Sequence, residues 1–231
     1  MTSPELAAAL EEKNRVRYAD FIVPLRTHQA SVHHLSQDGL IIIQPYSVTA
    51  AGFPKGDLQA LARHIPRGKR SVTVHGTKLK AAVESLTGYK LTMLTAQYVY
   101  DKPSIDSTVP PSWVFRPLTL RDKDLVTRHY QLVNEQVINQ YIKAGHLTAL
   151  EVEGKMVGFI GVHYGGSMGI LVVFPEGRRK GYGEALERHL IASQLEKGLI
   201  PFCHIIDGNV KSILLQRKLG LVADTVPVYW A

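Results

Sequence analysis

The stretch from Ile170 to Leu186 constrains this chain most. Ile170-Leu171-Val172-Val173-Phe174 is an apolar run of strand length. It passes through Pro175-Glu176-Gly177-Arg178-Arg179-Lys180-Gly181-Tyr182-Gly183 into a long helical pattern, Glu184 to Lys197. A buried strand feeding a helix through a short glycine-bearing loop is the repeating unit of α/β domains. The rest of the chain fits that class. Gly39–Ile43 reads as a buried strand after an Asp38-Gly39 turn, Ser71–His75 alternates like a strand, and Tyr89–Tyr100 is β-rich. Helices are expected after Ser3 (as N-cap, with Pro4 in the first turn), after Asp57, and from Lys78 to Leu86, where Gly88 stops the last of them. Pro24 should end or bend what precedes it.

Asp101 to Pro111 holds three prolines and almost no large apolar residue. That composition makes a semi-rigid linker, so the expected division is an N-terminal α/β domain, residues 1–108, and a second domain, residues 109–231. In the second, Trp113–Leu118 is a strand and Arg121 to Ala144 is helical in two pieces. Leu147–Val152 and Lys155–His163 form a hairpin around Glu153-Gly154, and Met168–Phe174 is a third apolar strand. After the long helix, Ile200–Ile206 is a strand. Asn209 to Leu219 is a short helix with Asn209 as N-cap and Gly220 past its end, and Leu221–Trp230 is a final strand. Both halves share a strand–helix–strand rhythm without an exact repeat.

Composition narrows the setting. The 231 residues carry one cysteine, Cys203, which excludes an internal disulfide and a cysteine-built zinc site. No apolar run reaches the roughly 20 residues of a membrane span, and the N-terminus shows no secretory pattern. A soluble protein of the reducing cytoplasm, with no membrane partner, is expected. The net charge is +7, shared evenly: residues 1–108 carry 13 basic and 9 acidic side chains, residues 109–231 carry 14 and 11. A basic excess favours anionic partners, nucleic acid or a phosphorylated small molecule, but one this mild and evenly spread reads as a basic surface with no specific partner rather than as a nucleic-acid-binding one.

The chemistry lies in the loop. Gly181 and Gly183 let backbone N–H groups approach an anion that a side chain would keep away. The helix starting near Gly183 aims its unpaired N–H groups and positive dipole end at the same point, and Arg178, Arg179 and Lys180 add charge. The loop lacks the Gly-Lys-Ser/Thr ending of a Walker motif and the three glycines of a dinucleotide fingerprint. What remains is a pyrophosphate cradle or a glycine-rich helix cap. Arg67-Gly68-Lys69-Arg70, with one glycine after Pro66, reads as a solvated turn rather than a second cradle.

The loop resembles the acyl-CoA-binding motif of the GNAT superfamily, Gln/Arg-x-x-Gly-x-Gly/Ala, here filled by Arg178, Gly181 and Gly183. Leu171 to Glu176 looks like that superfamily's fourth strand and its exit. Asn209-x-x-Ser212 through Lys218-Leu219-Gly220 looks like its late Asn…Lys-Leu-Gly-Phe segment, with Leu221 in place of Phe. The resemblance covers about half the chain. A weaker likeness, in layout, is to the glycine N-acyltransferase branch with its extra N-terminal α/β half. That half is expected to be a degenerate copy of the same fold, covering the acceptor groove or forming a homodimer contact.

The resemblance implies a mixed sheet with flanking helices, and an acyl group, usually acetyl, moving from CoA to a primary amine of a small or amino-acid-like acceptor. It implies that the pantetheine arm pairs with Leu171, Val172 and Val173. The pyrophosphate would rest on the backbone of Arg179, Lys180, Gly181, Tyr182, Gly183 and Glu184, beside Arg178, and Asn209 and Ser212 would stand near the CoA arm. No metal is implied. Two positions depart from the pattern. The superfamily's frequent Glu base falls on Ser167 and its Tyr acid on Gln216, and neither side chain does ordinary acid–base work near neutral pH. Three readings stay open: His163 or His204 supplies a base, the site positions its substrates while water takes the proton, or the protein is an acyl-CoA-binding sensor or interaction protein without turnover. Cys203, on an apolar strand, reads as a small core hydrophobe, and Trp113 and Trp230 read as packing residues.

Overall fold

The computed structural model describes residues 2–68 and 71–231. Contacts divide the chain into two units: Met1–Asp101 together with Phe202–Ala231, and Lys102–Pro201. The first break falls at the start of the proline-rich segment. The second was not expected: the last thirty residues join the N-terminal unit, so the division is not 1–108 against 109–231. The reason is strand pairing at long range, which sequence patterning does not report.

Unit 1 opens with helix α1 (Ser3–Asn14) and helix α2 (Ala19–Arg26). The N-cap of α1 is Thr2, one residue before the expected Ser3. Its side chain takes the Glu5 N–H while the Glu5 carboxylate takes the Thr2 N–H, a capping box that Ser3 would not complete. Pro24 lies inside α2, two residues before its end, so it neither precedes nor follows the helix. Strands β1 (Ser31–Leu35), β2 (Gly39–Ile43) and β3 (Ser47–Gly52) form an antiparallel meander. Helix α3 (Leu58–Arg63) follows, with the Asp57 carboxylate on the N–H groups of Gln59 and Ala60. Then come β4 (Ser71–His75), α4 (Thr77–Thr87), which ends on left-handed Gly88, and β5 (Met93–Val99).

Unit 2 begins with β6 (Trp113–Pro117), a 3-10 turn (Leu120–Asp122), α5 (Lys123–His129) and α6 (Glu135–Lys143). Strands β7 (Leu147–Val152) and β8 (Lys155–Val162) turn through Glu153 and Gly154, both at positive φ (51° and 74°). That is the two-residue turn whose twist suits a hairpin. Strand β9 (Met168–Val173) completes an antiparallel sheet in the order β6-β7-β8-β9, and α7 (Tyr182–Glu196) packs on β8 and β9. Leu118, Val126, Ile138, Leu147, Phe159 and Phe174 form its core.

The chain then returns to unit 1 with β10 (Phe202–Ile206), α8 (Val210–Leu219), β11 (Val222–Ala223) and β12 (Val228–Trp230). The expected single strand Leu221–Trp230 is broken. Ala223 faces Tyr98 and Val228 faces Thr95, five steps against three; the Asp224 N–H still reaches the Gln97 carbonyl of β5 at 2.8 Å, and the extra residues bulge beyond it. The sheet runs β1-β2-β3-β4-β12-β5-β10, with β11 also on β5. Among the described residues only β3 and β4 pair in parallel, and β12 fills the place between β4 and β5. Cys203 is buried in this unit, as a core hydrophobe should be.

One ion-pair group stitches unit 2. Arg116 of β6 forks onto Asp122 at 2.8 Å through both terminal nitrogens and reaches Glu151 of β7 at 2.7 Å through Nε. These bonds to Arg116 hold the Asp122 carboxyl down at about 2. A carboxylate whose folded value lies below its unfolded one stabilises above the unfolded value, near 3.8, and loses that contribution as pH falls toward 2. Acid melts of the Asp122→Asn variant should therefore lose the part of the stability slope that the parent shows between about pH 4 and 2.

Candidate functional site

Strand β9 lies at the edge of its sheet, paired among the described residues with β8 alone. Its ladder is irregular. Val172 faces Phe159 while Gly169 faces Gly161, three residues of β9 spanning two of β8. Ile170 and Leu171 fall in that gap, and Ile170 has φ 55°. A β-branched residue at positive φ is a true backbone outlier, tolerated where the surroundings enforce it, and such outliers concentrate at functional sites. The bulge turns a stretch of the outer edge of β9 away from regular strand geometry. The sequence reading missed it, although the isolated Gly169 inside an apolar strand was a signal of a bulge. Leu171, Val172 and Val173 are each partly exposed on this edge, while Ile170 and Phe174 enter the core.

At Val173 the strand leaves through a 3-10 turn (Pro175–Gly177) and the basic loop. Arg178, Arg179, Lys180 and Gly181 are exposed. The Arg178 Nε donates to the Val173 carbonyl at 3.4 Å, so this side chain folds back over the end of β9. Arg179 (φ 64°) and Gly181 (φ 84°) are both left-handed, a winding that gathers backbone N–H groups into an anion-binding concavity. Among the described residues no side chain caps α7, whose first turn opens at Gly181. Gly183 tests the cradle directly. A Cβ there would make only an ordinary contact, 3.5 Å from Cγ2 of Val173, and its φ is not in the left-handed region. Neither a close contact nor a left-handed backbone among the described residues requires glycine at 183. Glu184 is held by Arg188 at 2.9 Å, and the Tyr182 ring is buried edge-on against Trp113, centroids 4.8 Å apart. Tyr182 therefore offers its backbone alone.

The other predicted residues divide between the units. In unit 2, Ser167 sits in the β8–β9 turn, where its carbonyl accepts the His163 N–H at 2.9 Å. The His163 ring lies over Gly169, where an added Cβ would come within 2.5 Å of Nε2, and Tyr141 Oη is 3.3 Å from Nδ1. Tyr141, His146 and Tyr164 complete an aromatic cluster beside it. Burial, helped by His146, pushes His163 down to about 4, and burial pushes Tyr141 up to about 12. His163 is neutral at physiological pH, but a base this weak removes protons poorly.

Because the folded protein keeps His163 neutral while the unfolded chain protonates near 6.5, the unfolded state binds more protons between about pH 6.5 and 4. Stability is then full above 6.5 and falls with acid through that window. A His163→Phe variant should show a flatter melt-against-pH curve there, and an NMR titration should find the His163 ring still neutral at pH 5.

In unit 1, His204 is buried in a polar network with its Nε2 2.8 Å from Gln97 Oε1 and 3.7 Å from Asp20, and its ring meets Trp230 edge-on. Gln216 is buried at 3% exposure, on α8. Asn209 is exposed, and its side-chain oxygen accepts the Ser212 N–H at 3.3 Å, so it caps α8 as expected. Strand β10 is the edge of its own sheet, as β9 is of the other. Arg67 and Gly68 are exposed in a turn; Lys69 and Arg70 lie outside the described residues.

The family model described as FR47-like protein matches residues 145–230, which include β9, the basic loop and α8. No curated protein matches the chain. Among solved structures, a Drosophila protein superposes with TM-score 0.68 at 14% identity, covering 99% of this chain and 94% of its own. A GNAT-family protein from Novosphingobium aromaticivorans gives 0.57 at 17% identity, covering 94% and 96%. A GCN5-related N-acetyltransferase-like protein from Streptococcus suis gives 0.55 at 14%, covering 97% and 99%. At such identities the likeness is one of fold: the chain has the mixed α/β fold of GNAT acetyltransferases, and the match extends over both units. Among the described residues, no helix is long and apolar enough to cross a membrane.

Proposed function

We propose that the chain is an acyl-CoA-dependent N-acyltransferase that moves an acetyl or other acyl group to a primary amine of a small or amino-acid-like acceptor. The observation that carries this reading is the path of β9: an unpaired edge, a bulge at Ile170 and Leu171, and an uncapped basic cradle at Gly181–Glu184. The edge of Leu171–Val173 offers backbone groups to the amides of a pantetheine arm. The cradle offers N–H groups and the α7 dipole to the pyrophosphate, with Arg179 and Lys180 adding charge. The bulge supplies backbone groups out of the ladder, suited to holding the thioester carbonyl and stabilising the negative charge that develops on its oxygen.

In the reaction a neutral amine attacks the thioester carbon. A C–N bond forms, the C–S bond breaks, and CoA leaves as the thiolate. The amine loses one proton and the thiolate takes one up. With Ser167 and Gln216 at the usual acid–base positions and His163 a weak base, proximity and orientation supply most of the rate, and water carries the proton. Turnover in His163→Ala and His204→Ala tests this. A loss beyond tenfold in either variant, with folding intact, would restore a local base.

The second reading is an acyl-CoA-binding sensor without turnover, favoured by the same Ser167 and Gln216. Melting-temperature shifts with acetyl-CoA, CoA, ATP and NAD, followed by thiol release with an amine panel, separate the two. Both readings require a shift with acetyl-CoA and CoA and none with NAD. Only the first yields free thiol dependent on an amine. No shift at saturating CoA rejects both.

A further inference from the structure

A CoA held as proposed above runs along β9 in one direction. The cradle at Gly181–Glu184 lies beyond the Val173 end of the strand. With the pyrophosphate there, a pantetheine arm lying along Val173, Val172 and Leu171 travels toward the start of β9. Its thioester then reaches the bulge at Ile170 and Leu171, and the acyl group beyond the thioester continues toward Gly169.

The His163 ring stands over Gly169. A Cβ on Gly169 would come within 2.5 Å of Nε2 and 2.9 Å of Cδ2, so the ring fills the space that a side chain would take. Its neighbours hold it in place. Tyr141 Oη lies 3.3 Å from Nδ1, and the Tyr141 ring meets the imidazole edge-on with centroids 6.1 Å apart. Tyr164 stacks on Tyr141 at 5.1 Å, and His146 packs against both tyrosines. The backbone is pinned as well: the His163 N–H donates to the Ser167 carbonyl, and the His163 carbonyl accepts the Gly166 N–H, both at 2.9 Å. A wall packed this closely does not yield to an extra methylene without cost. Burial keeps the ring neutral at physiological pH, so a methyl group can lie against it without desolvating a charge.

We infer that His163 closes the acyl end of the site, so that acetyl fits and chains from butyryl upward do not. The inference rests on the acyl-CoA reading and adds to it the class of acyl donor and the residue that sets it. A longer chain meets the ring. It must either leave the strand for solvent or draw the thioester off the bulge.

The test is calorimetric titration of the full chain with CoA, acetyl-CoA and butyryl-CoA. The parent is expected to bind butyryl-CoA roughly tenfold more weakly than acetyl-CoA. In His163→Ala the preference should invert, because each methylene buried in the vacated space strengthens binding about fourfold. The ratio of the two donors within one protein is the readout, since a merely structural loss weakens both together. NMR of the parent needs no variant: the methyl protons of bound acetyl-CoA should show a nuclear Overhauser effect to the His163 ring. Equal binding of acetyl-CoA and butyryl-CoA by the parent overturns the inference. So does an unchanged ratio in a folded His163→Ala protein, or a bound acetyl methyl with no such effect. These failures leave CoA binding intact. If neither CoA nor acetyl-CoA binds, the acyl-CoA reading itself has failed and this inference falls with it.

Discussion

The Gly183→Trp variant is expected to fold with the parent's melting temperature and to lose the rise that acetyl-CoA gives the parent. Folding should survive because a Cβ at 183 meets only Val173, at ordinary contact distance, and the residue sits in the first turn of a helix that prefers almost any residue to glycine. Binding should fail because an indole would occupy the space the phosphates need above the start of α7. A hydrogen bond to a charged group is worth about 1.5–3 kcal/mol. Losing two removes about 3–6 kcal/mol, and each 1.4 kcal/mol is about tenfold, so the affinity should drop roughly a hundredfold or more. Gly181 is the poorer choice for this test. Its φ of 84° would strain any side chain, confusing a blocked site with a distorted one. If Gly183→Trp bound acetyl-CoA as the parent does, the loop would be a helix cap and nothing more.

The second large effect is on stability. Phe159 is fully buried in β8, opposite Val172 of β9, with its ring 6.2 Å from that of Phe174. Phe159→Ala removes a fully buried ring from the core under the bulged strand and leaves a cavity that the surrounding structure closes only in part. Phe-to-Ala changes in such cores cost about 3–5 kcal/mol, against a total of about 5–15 kcal/mol for a domain. Chemical denaturation should show an earlier transition. Residual acetyl-CoA binding should fall with the folded fraction, since β9 depends on this support. A transition unchanged within about 1 kcal/mol would mean that the β8–β9 layer contributes little to the unit's stability.

Much of the local structure was legible because its causes are local. Asp57 and Asn209 cap the helices they precede, Gly88 and Gly220 stop theirs, and Glu153-Gly154 turns its hairpin. Each is decided within four residues. Thr2 took the cap expected of Ser3 because Glu5 completes the box three residues after Thr2. The loop and the helix start that follows it were legible for the same reason: glycines, cations and the first turn of α7 adjoin in sequence. What was not legible depends on residues far apart. β12 pairs with both β4 and β5, more than 130 residues earlier, and no periodicity in Val228–Trp230 says so. The Ile170 bulge is a mismatch of count between two strands, visible only once their register is known. His163 and His204 looked alike as candidate bases. Their surroundings separate them: the first lies over Gly169 in the β8–β9 hairpin, the second in a buried network with Gln97.

The placing of β12 also bears on how the chain is made. A ribosome delivers β4 and β5 long before residues 228–230, so neither can complete its native ladder while all of Lys102–Pro201 is synthesised. The later segment pairs each of its strands with the next one in sequence, so its sheet needs no strand from the earlier one. It can finish while the earlier one is still waiting. Two unsatisfied strand edges held open for that long invite pairing with another chain. A nascent chain stalled before residue 228 should be the aggregation-prone form of this protein, and the final strand works as a late-arriving plug.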